Sequence, residues 1–397
     1  MKTWIANPPR TRHWVAIASL ALLAACGGGS DGGGTGTMRL ALTDAPACGY
    51  DQVNVTVDRV RVHQSATAGD SAAQWQEIVL SPARRVNLLN LTNGVLEELG
   101  STPLPAGTYS QLRLVLASNS GGAPLANSVV PTGGSETALD TPSAQQSGLK
   151  LQVHMTVAAG QIADYVIDFD ACKSVVPRGN SGRFNLKPVV AVLPRVTTGL
   201  AVVGQLSNVS DSSATAVSLQ QAGVVVRSTV PTAQGGFVLS PVPAGTYDLV
   251  VSAANRATMV LTGVPVSTSG VTTVSTSTSP IVLLSSGMRQ VSGLVGTTGS
   301  PAIPDAIVAP WQTLLGTTIE WGARPVDADT GAYAFSLPTQ PGLKATYAAP
   351  PAALLWTPDT TTAARYTVNA FVTGKPTQSA PVNLESADAV VNFSFAP

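Results

Sequence analysis

Apolar and polar residues alternate with a period of two in many short stretches of this chain, and this pattern limits what it can fold into. In the clearest example, residues 149–157, every second residue is apolar: Leu149, Leu151, Val153, Met155 and Val157. A period of two places successive side chains on opposite faces of a β-strand. Glycine and proline, at 37 and 29 residues, separate the stretches, and long helical periodicities are missing. The sequence therefore predicts an all-β protein of tandem Ig-like β-sandwiches.

Changes in composition divide the 397 residues into five segments. A leader at 1–25 and a glycine-rich segment at 26–37 come before the alternating stretches. The remaining chain is long enough for two or three domains of roughly 100–200 residues. We predict three β units, at 38–195, 196–285 and 286–397.

The leader has the pattern of a secretory signal peptide. Lys2, Arg10 and Arg12 make its start basic, and residues 14–25 are apolar except for Ser19. A basic start, a short apolar run and small residues at the exit are typical of a signal that is removed. The run is shorter than the roughly 20 apolar residues that a spanning helix needs.

The leader ends in Leu23-Ala24-Ala25-Cys26, which resembles the lipobox of bacterial lipoproteins. The resemblance implies that Cys26 becomes the first mature residue and carries a diacylglyceryl thioether and an amide-linked acyl chain such as palmitate. It also implies outer-membrane localisation in a Gram-negative bacterium, because Gly27, not Asp, follows the cysteine. The alternative is a soluble secreted protein with an incidental cysteine.

Residues 27–37 are glycine, serine and threonine except for Asp31. Such a segment forms a flexible tether with a reach of roughly 20 Å. Lys plus Arg and Asp plus Glu number 22 each, and charged residues make up 11% of the chain. This balance argues against nucleic acid as a partner, because nucleic-acid binding needs clustered Lys and Arg.

Two cysteines remain once Cys26 is assigned to lipid. In an oxidising envelope compartment, the simplest prediction for Cys48 and Cys172 is a disulfide. A metal site is not expected, because the two lack Cys or His neighbours at ligand spacing.

Within the first unit, the apolar positions change parity between Val57 and Val60, which predicts a β-bulge at Asp58-Arg59. We expect a helical turn over 93–99 that ends at Gly100, and a long loop over 118–148. The unit resembles a family of bacterial lipoproteins known as domain of unknown function 4382. The matching motifs are Leu42-Thr43-Asp44-Ala45-Pro46, Val86-Asn87-Leu88-Leu89, Leu104-Pro105-Ala106-Gly107-Thr108-Tyr109, Asp168-Phe169-Asp170-Ala171 and Leu186-Lys187-Pro188-Val189-Val190. The resemblance implies a β-rich fold and brings no catalytic residues.

The second and third units repeat one plan of glycine–aromatic hairpins. The second contains Pro243-Ala244-Gly245-Thr246-Tyr247, which the third lacks. Both are similar to the transthyretin-like modules called carboxypeptidase regulatory-like domains. The resemblance implies spacers or binding platforms without an active site.

Candidate ligands for a metal ion are few. Asp168 and Asp170 share one strand face and could bind Ca²⁺ through carboxylate oxygens. The simpler interpretation is a solvated strand face, with Asp170 accepting from loop amides near Cys172. We expect His63 and His154 to be solvated surface residues. Asp327-x-Asp329-x-Gly331 resembles the start of a calcium loop, but a hairpin turn fits better, because Pro338 occupies the position of the final Glu ligand.

Three tryptophans of the third unit are candidate ligand contacts: Trp311, Trp321 and Trp356. Exposed aromatic rings stack on sugars, which would give a glycan-binding surface. The simpler interpretation is that bulky side chains fill the core of a small sandwich.

The sequence favours a non-catalytic lipoprotein without a cofactor, since it contains no recognisable motif that would bring a nucleophile, a base and an orienting group together. The expected partners are the lipid membrane, through acylated Cys26, and a glycan or an envelope protein. The alternatives are a carbohydrate- or calcium-binding surface module and, less favoured, a cryptic hydrolase. The oligomeric state does not follow from the sequence.

Overall fold

Two β-sheets form the first unit. The structure, a computed structural model, describes residues 34–44, 49–120, 122, 124–141, 147–195, 200–268 and 270–397. The strands of the first unit are β1 (Thr35–Asp44), β2 (Tyr50–His63), β3 (Gln76–Asn87), β4 (Glu97–Pro105), β5 (Gly107–Leu116), β6 (Ser128–Pro131), β7 (Thr137–Asp140), β8 (Leu149–Val157), β9 (Ile162–Phe169), β10 (Val175–Arg178), β11 (Arg183–Leu186) and β12 (Val190–Pro194). A short helix, α1 (Ala171–Ser174), follows β9, and 3₁₀ turns cover Leu88–Asn90 and Gly179–Ser181.

One sheet has the order β12-β9-β1-β4, and the other has the order β10-β11-β7-β6-β2-β5-β8 with β3 beside β2. The inward faces of both sheets share one core. Its fully buried side chains include Leu40 of β1, Leu112 of β5 and Phe169 of β9. The alternation in the sequence thus becomes a sandwich, because each strand turns its apolar face to the same interior.

The predicted β-bulge is confirmed. The pairing of β2 with both β3 and β5 shifts register between Val57 and Arg59. Val57 and Val60 are both fully buried on either side of the shift. One extra residue is what allows a strand to change parity and keep its apolar side chains inside.

Two local predictions for the first unit are wrong. Residues 118–148 include strands β6 and β7 instead of forming only a loop. Asn127 helps to fix this segment, because its Oδ1 accepts from the Thr56 N–H at 3.0 Å and its Nδ2 donates to the Ala117 carbonyl at 2.7 Å. Gly100 lies inside β4 and does not end a helical turn. The 3₁₀ turn comes earlier, after Asn87, whose side chain caps it.

The second and third units follow the same sandwich plan. The strands of the second unit are β13 (Ala201–Ser207), β14 (Thr215–Gln221), β15 (Val224–Thr229), β16 (Gly236–Leu239), β17 (Gly245–Ala253), β18 (Met259–Val266), β19 (Val271–Thr273) and β20 (Ile281–Val282). Those that follow are β21 (Met288–Thr297), β22 (Ala306–Leu314), β23 (Thr317–Glu320), β24 (Arg324–Pro325), β25 (Ala332–Pro338), β26 (Gly342–Thr346), β27 (Thr357–Asp359), β28 (Arg365–Val372), β29 (Gln378–Asn383), β30 (Ala389–Val390) and β31 (Phe393–Phe395).

One sheet takes strands from both of these units. Its order is β15-β14-β17-β18-β26-β27, and β26 runs parallel to β18 with Leu343 opposite Met259. The second sandwich closes with β16-β13-β19, where β20 also pairs with β13. The third sandwich packs two sheets against each other. One has the order β25-β21-β30, with β31 also paired to β21, and the other has the order β23-β22-β28-β29, with β24 also paired to β22. Residues after 285 therefore help to build the second sandwich.

The Pro-Ala-Gly-Thr-Tyr turns of the first two units are closed in the same way. The Tyr109 hydroxyl donates to the Pro105 carbonyl at 2.9 Å, and the Tyr247 hydroxyl donates to the Pro243 carbonyl at 2.8 Å. Each bond holds the start of a strand against the turn before it.

Within the described residues, no helix is long and apolar enough to cross a bilayer.

Candidate functional site: the junction of the three units

Arg227 of β15 enters the first unit as a buried cation. Its side chain is 2% exposed and pairs with the Asp168 carboxylate on β9. Its Nη2 also donates to Thr43 Oγ1 on β1 at 2.9 Å. Thr43 is fully buried in turn, and its hydroxyl donates to the Leu91 carbonyl at 3.0 Å. The second unit is thus fastened to the outer face of the first sheet by a charge that water does not reach.

Burial dominates the electrostatics of this pair. It raises the pKa of the Asp168 carboxyl, while the guanidinium of Arg227 acts in the opposite direction. A buried carboxylate keeps its charge at neutral pH only if an opposite charge stays beside it. Asp168 and Arg227 therefore depend on each other.

A second charged group lies on α1, just after β9. Asp170 caps the helix by accepting from the Lys173 N–H at 3.0 Å, as predicted for loop amides near Cys172. The same carboxylate is 3.2 Å from Lys173 Nζ, and Glu320 of β23 lies 4.0 Å from that amine. Burial alone would lower the pKa of Lys173, but the two carboxylates outweigh it and raise that pKa. Burial raises the pKa of Glu320.

Glu320 also connects the second and third units. Its backbone N–H donates to Gln220 Oε1, and Gln220 Nε2 donates to the Glu320 carbonyl, both at 2.8 Å. The Gln220 side chain thus pairs with β23 as a neighbouring strand would. Nearby, Val250 and Val260 pack against Leu314 and Ile319 in a small buried cluster that joins the two units.

The Asp327 turn fastens the third unit to the first. Asp327 Oδ1 accepts from the backbone N–H groups of Asp329 and Thr330 at 3.0 and 2.8 Å. Its Oδ2 accepts from the Gly179 N–H of the first unit at 2.6 Å. The Ala328 N–H donates to the Pro177 carbonyl at 2.9 Å. The segment is a turn in which the Asp327 carboxylate accepts from amides. It is not the predicted hairpin, because β24 pairs with β22 and β25 pairs with β21, so the strands on either side of the turn lie in different sheets.

We name the interlocked set Thr43, Asp168, Asp170, Lys173, Gln220, Arg227 and Glu320 the junction. The contacts among residues 34–397 join the three β units into one compact body. In the described part of the chain, no three His, Cys, Asp or Glu side chains are arranged to hold a metal ion. What the junction does chemically is to balance buried charges between units, which fixes their relative placement.

The Asp327 turn gives a direct test. Burial would raise the pKa of Asp327, but hydrogen bonds from Thr330, Gly179 and Asp329 hold that pKa below its usual value. Asp327→Asn is expected to lower the free energy of unfolding by about 1.5–3 kcal/mol, because the bonds lose their charge and one amide hydrogen faces a donor.

Urea unfolding measures this loss, with Asn383→Asp as an exposed control. Since the folded pKa is depressed, the stabilisation is complete above the unfolded pKa of about 3.9 and disappears as the pH falls through the folded pKa. A wild-type melting temperature that rises with millimolar Ca²⁺ would contradict the interpretation of this segment as a turn closed by its own amides.

The three candidate tryptophans are all half-buried. Trp321 packs against the third core and the small cluster between units, and Trp356 packs against the second core. Trp311 lies 6.3 Å from Phe371 between ring centroids and lines an open cleft. The structure therefore does not bring them together into one surface.

His63 and His154 differ in their exposure to solvent. His154 is exposed, as predicted. The prediction for His63 is wrong, because its side chain is buried under the ring of Trp75, 5.1 Å away between centroids. Its Nδ1 accepts from the Ser65 N–H at 2.9 Å, and its Nε2 is 2.9 Å from the Ala73 carbonyl. His63 fixes a loop of the first unit.

Cys26 and Cys48 lie outside the described residues. Cys172 is buried in α1, next to the junction. Its pairing with Cys48 and the lipidation of Cys26 stay predictions.

Arg227 is the residue that the sequence did not reveal. It directly follows an apolar run, Val224 to Val226, and a cation at this position would fit a solvated strand edge equally well. Only its burial beside a carboxylate from another unit distinguishes the two interpretations.

The family comparison covers the first unit. Residues 35–188 match the family described as a domain of unknown function (DUF4382). The match confirms the resemblance for this part of the chain, which we call the DUF4382 region. Asp168, Asp170 and Lys173 lie within it, whereas Arg227, Gln220 and Glu320 come from outside. A search of curated proteins found no match.

Solved structures align loosely with the chain. A type II cohesin–X-dockerin complex from Acetivibrio cellulolyticus aligns at 27% identity over 22% of this chain, with a TM-score of 0.19, and the chain spans 59% of the length of that match. The streptococcal ancillary pilin aligns at 12% identity over 91% of this chain and 99% of its own, with a TM-score of 0.18. A putative carbohydrate-binding protein from Bacteroides uniformis aligns at 11% identity over 47% and 100%, with a TM-score of 0.19.

Proposed function

We propose that this protein is a non-catalytic lipoprotein of the cell envelope. Acylated Cys26 anchors it in the outer membrane of a Gram-negative bacterium, and its three β units present a binding or structural surface. The basic start, the apolar run and the Leu23-Ala24-Ala25-Cys26 motif support the anchor. Several acyl chains give firm attachment, since each buried methylene adds about 0.8 kcal/mol.

The observation that carries the proposal is the course of β1. The last three residues of the predicted tether, 35–37, belong to β1, so the tether ends earlier than predicted. The other end of the strand, Asp44, accepts from the Ala171 N–H of α1 at 3.0 Å beside the junction. Ten residues of strand span about 30 Å. The junction therefore joins the second and third units to the first near the end of β1 that is remote from the tether. A lipid-anchored chain built this way would present those units away from the membrane.

Fractionation tests the anchor. Wild-type protein is expected to sediment with membranes and to leave them with detergent but not with high salt, because hydrophobic insertion holds it. Cys26→Ala should move to the soluble fraction, and globomycin should cause unprocessed precursor to accumulate.

Cys172→Ser is the matched control, because it removes a cysteine without touching the lipobox motif, and it should stay with the membrane. If Cys26→Ala fractionates as wild type does, the proposed anchoring is wrong.

A second candidate function is glycan binding at Trp311. The half-buried ring lines an open cleft of about 390 Å³ together with Arg365, Thr367 and Asn383. An aromatic face beside a few polar side chains is the combination that a sugar ring needs, one for stacking and the other for hydrogen bonds.

A glycan array followed by calorimetry tests this candidate. Trp311→Ala should weaken binding of any recognised glycan at least about tenfold, which corresponds to about 1.4 kcal/mol. Trp321→Phe, which changes an inward-packed ring, should leave it unchanged. Equal affinity of the two variants would exclude Trp311 as the contact.

A further inference from the structure

The segment between β26 and β27, residues 347–356, is an apolar strap. It reads Tyr347-Ala348-Ala349-Pro350-Pro351-Ala352-Ala353-Leu354-Leu355-Trp356 and has no charged side chain. Leu354 and Trp356 pack against the core of the second sandwich, yet Leu355 is 81% exposed. A run of exposed apolar residues without a structural role usually marks a place where something binds.

The strap borders a half-open cavity at the edge of the second sandwich. The cavity has a volume of about 350 Å³, and its walls include Met259, Val274, Leu343 and Trp356. A dry apolar cavity of about 150 Å³ accommodates benzene, and ligand pockets begin near 300 Å³. The space is therefore sufficient for a molecule of two or three rings or for a short hydrocarbon chain.

The polar groups of the wall are few and one of them is already bonded. Its polar side chains are Ser275 and Ser279. The Ser275 hydroxyl accepts from the Gln205 N–H at 2.7 Å and donates to the Gln205 carbonyl at 2.9 Å. A charged ligand would lose its hydration here without gaining an opposite charge. The cavity thus selects against ions.

The rim of the cavity continues the apolar surface. Val282 and Leu284 line the cavity and are 44% and 46% exposed. Leu354 and Trp356 also line it, and the exposed Leu355 stands between them in the strap. Met259 supplies a wall that adapts to shape, because the methionine side chain is flexible. The strap is held at its start, where the Tyr347 N–H donates to the Thr262 carbonyl of β18 at 2.8 Å.

We propose that this cavity is a binding site for a neutral, apolar small molecule, with the strap as its cover and Trp356 as an aromatic wall. The concave shape favours such a molecule over a flat protein partner, and the uncharged lining favours a neutral one. The inference rests on the proposed function only in taking the second and third units as a presented binding surface.

Fluorescence titration with N-phenyl-1-naphthylamine, a neutral apolar probe, tests the site. The full chain carrying Cys26→Ala serves as the protein, so that no detergent competes for the probe and the result is independent of membrane fractionation. We expect saturable binding of one probe per chain. Val274→Trp, which fills the cavity, should weaken it at least about tenfold.

Controls separate the site from general surface binding. Leu294→Ser removes another exposed apolar side chain, 52% exposed on β21, and should leave the affinity unchanged. Ala353→Trp fills the cavity from the strap and replaces Val274→Trp if that variant fails to fold. Non-saturable binding, or equal affinity in the filled and wild-type chains, overturns the proposal. A further result would also overturn it: an extended leucine-rich peptide that binds more tightly than the probe and binds the filled variants as well as the wild type. That peptide would occupy the rim and not the cavity.

Discussion

Replacing Arg227 with methionine is expected to lower the free energy of unfolding by about 3–5 kcal/mol. The change leaves the Asp168 carboxylate buried without its counter-charge and removes a hydrogen bond to Thr43. The pKa of Asp168, already raised by burial, will then rise further, because the guanidinium that acts in the opposite direction is gone. Urea unfolding followed by tryptophan fluorescence measures the loss.

Two variants give this experiment its controls. The double variant Arg227→Met with Asp168→Leu should recover most of the stability, because a buried ion pair is often replaced by apolar side chains at little cost. Arg365→Met breaks an exposed pair with Glu385, whose partners are 53% and 71% exposed, and should change stability by no more than about 1 kcal/mol. If Arg227→Met behaves like Arg365→Met, the junction does not hold the units together.

The second large effect is expected for the cysteines of the first unit. Cys172→Ser should lower the free energy of unfolding by about 2–4 kcal/mol, because a disulfide to Cys48 would restrict the unfolded chain over a long loop. Loss of this bond, from either cysteine, is also expected to loosen the junction, because Cys172 lies on α1, two residues after Asp170.

Non-additivity identifies the bond. Cys48→Ser alone and the double variant should each lose the same amount as Cys172→Ser, since all three break one bond. Purified wild-type protein should release no thiol on denaturation until a reductant is added. Two titratable thiols in the denatured wild type would refute both the pairing and the oxidising compartment that it implies.

The periodic strands could be predicted because the information lies within each strand. The alternation at 149–157 became β8, and the parity change at Val57 and Val60 became a bulge. Strands β6 and β7 could not be found in this way. They are four residues each, and Asn127 holds their segment through bonds to Thr56 of β2, 71 residues away in sequence, and to Ala117, which directly follows β5.

The candidate site shows the same division between local and distant information. Asp170 as a cap and Asp327 as a turn residue follow from side chains that reach their own neighbouring amides. For Asp168 the polar face of β9 suggested solvent, yet the structure buries it, because Arg227 brings the compensating charge from another unit. His63 was also expected in solvent, and it is buried because a loop of its own unit places Trp75 over its ring.

By itself, then, the sequence determined that the chain is all-β, which side of each alternating strand faces inward, and where one strand must bulge. These features depend on side chains within a few residues of one another. Only the tertiary structure decided that polar faces of separate units meet, that Arg227 and Glu320 neutralise charges of the DUF4382 region, and that strands after residue 285 complete the second sandwich. A polar strand face is stable in water or against a complementary charge, and the choice between them depends on residues far away in the chain.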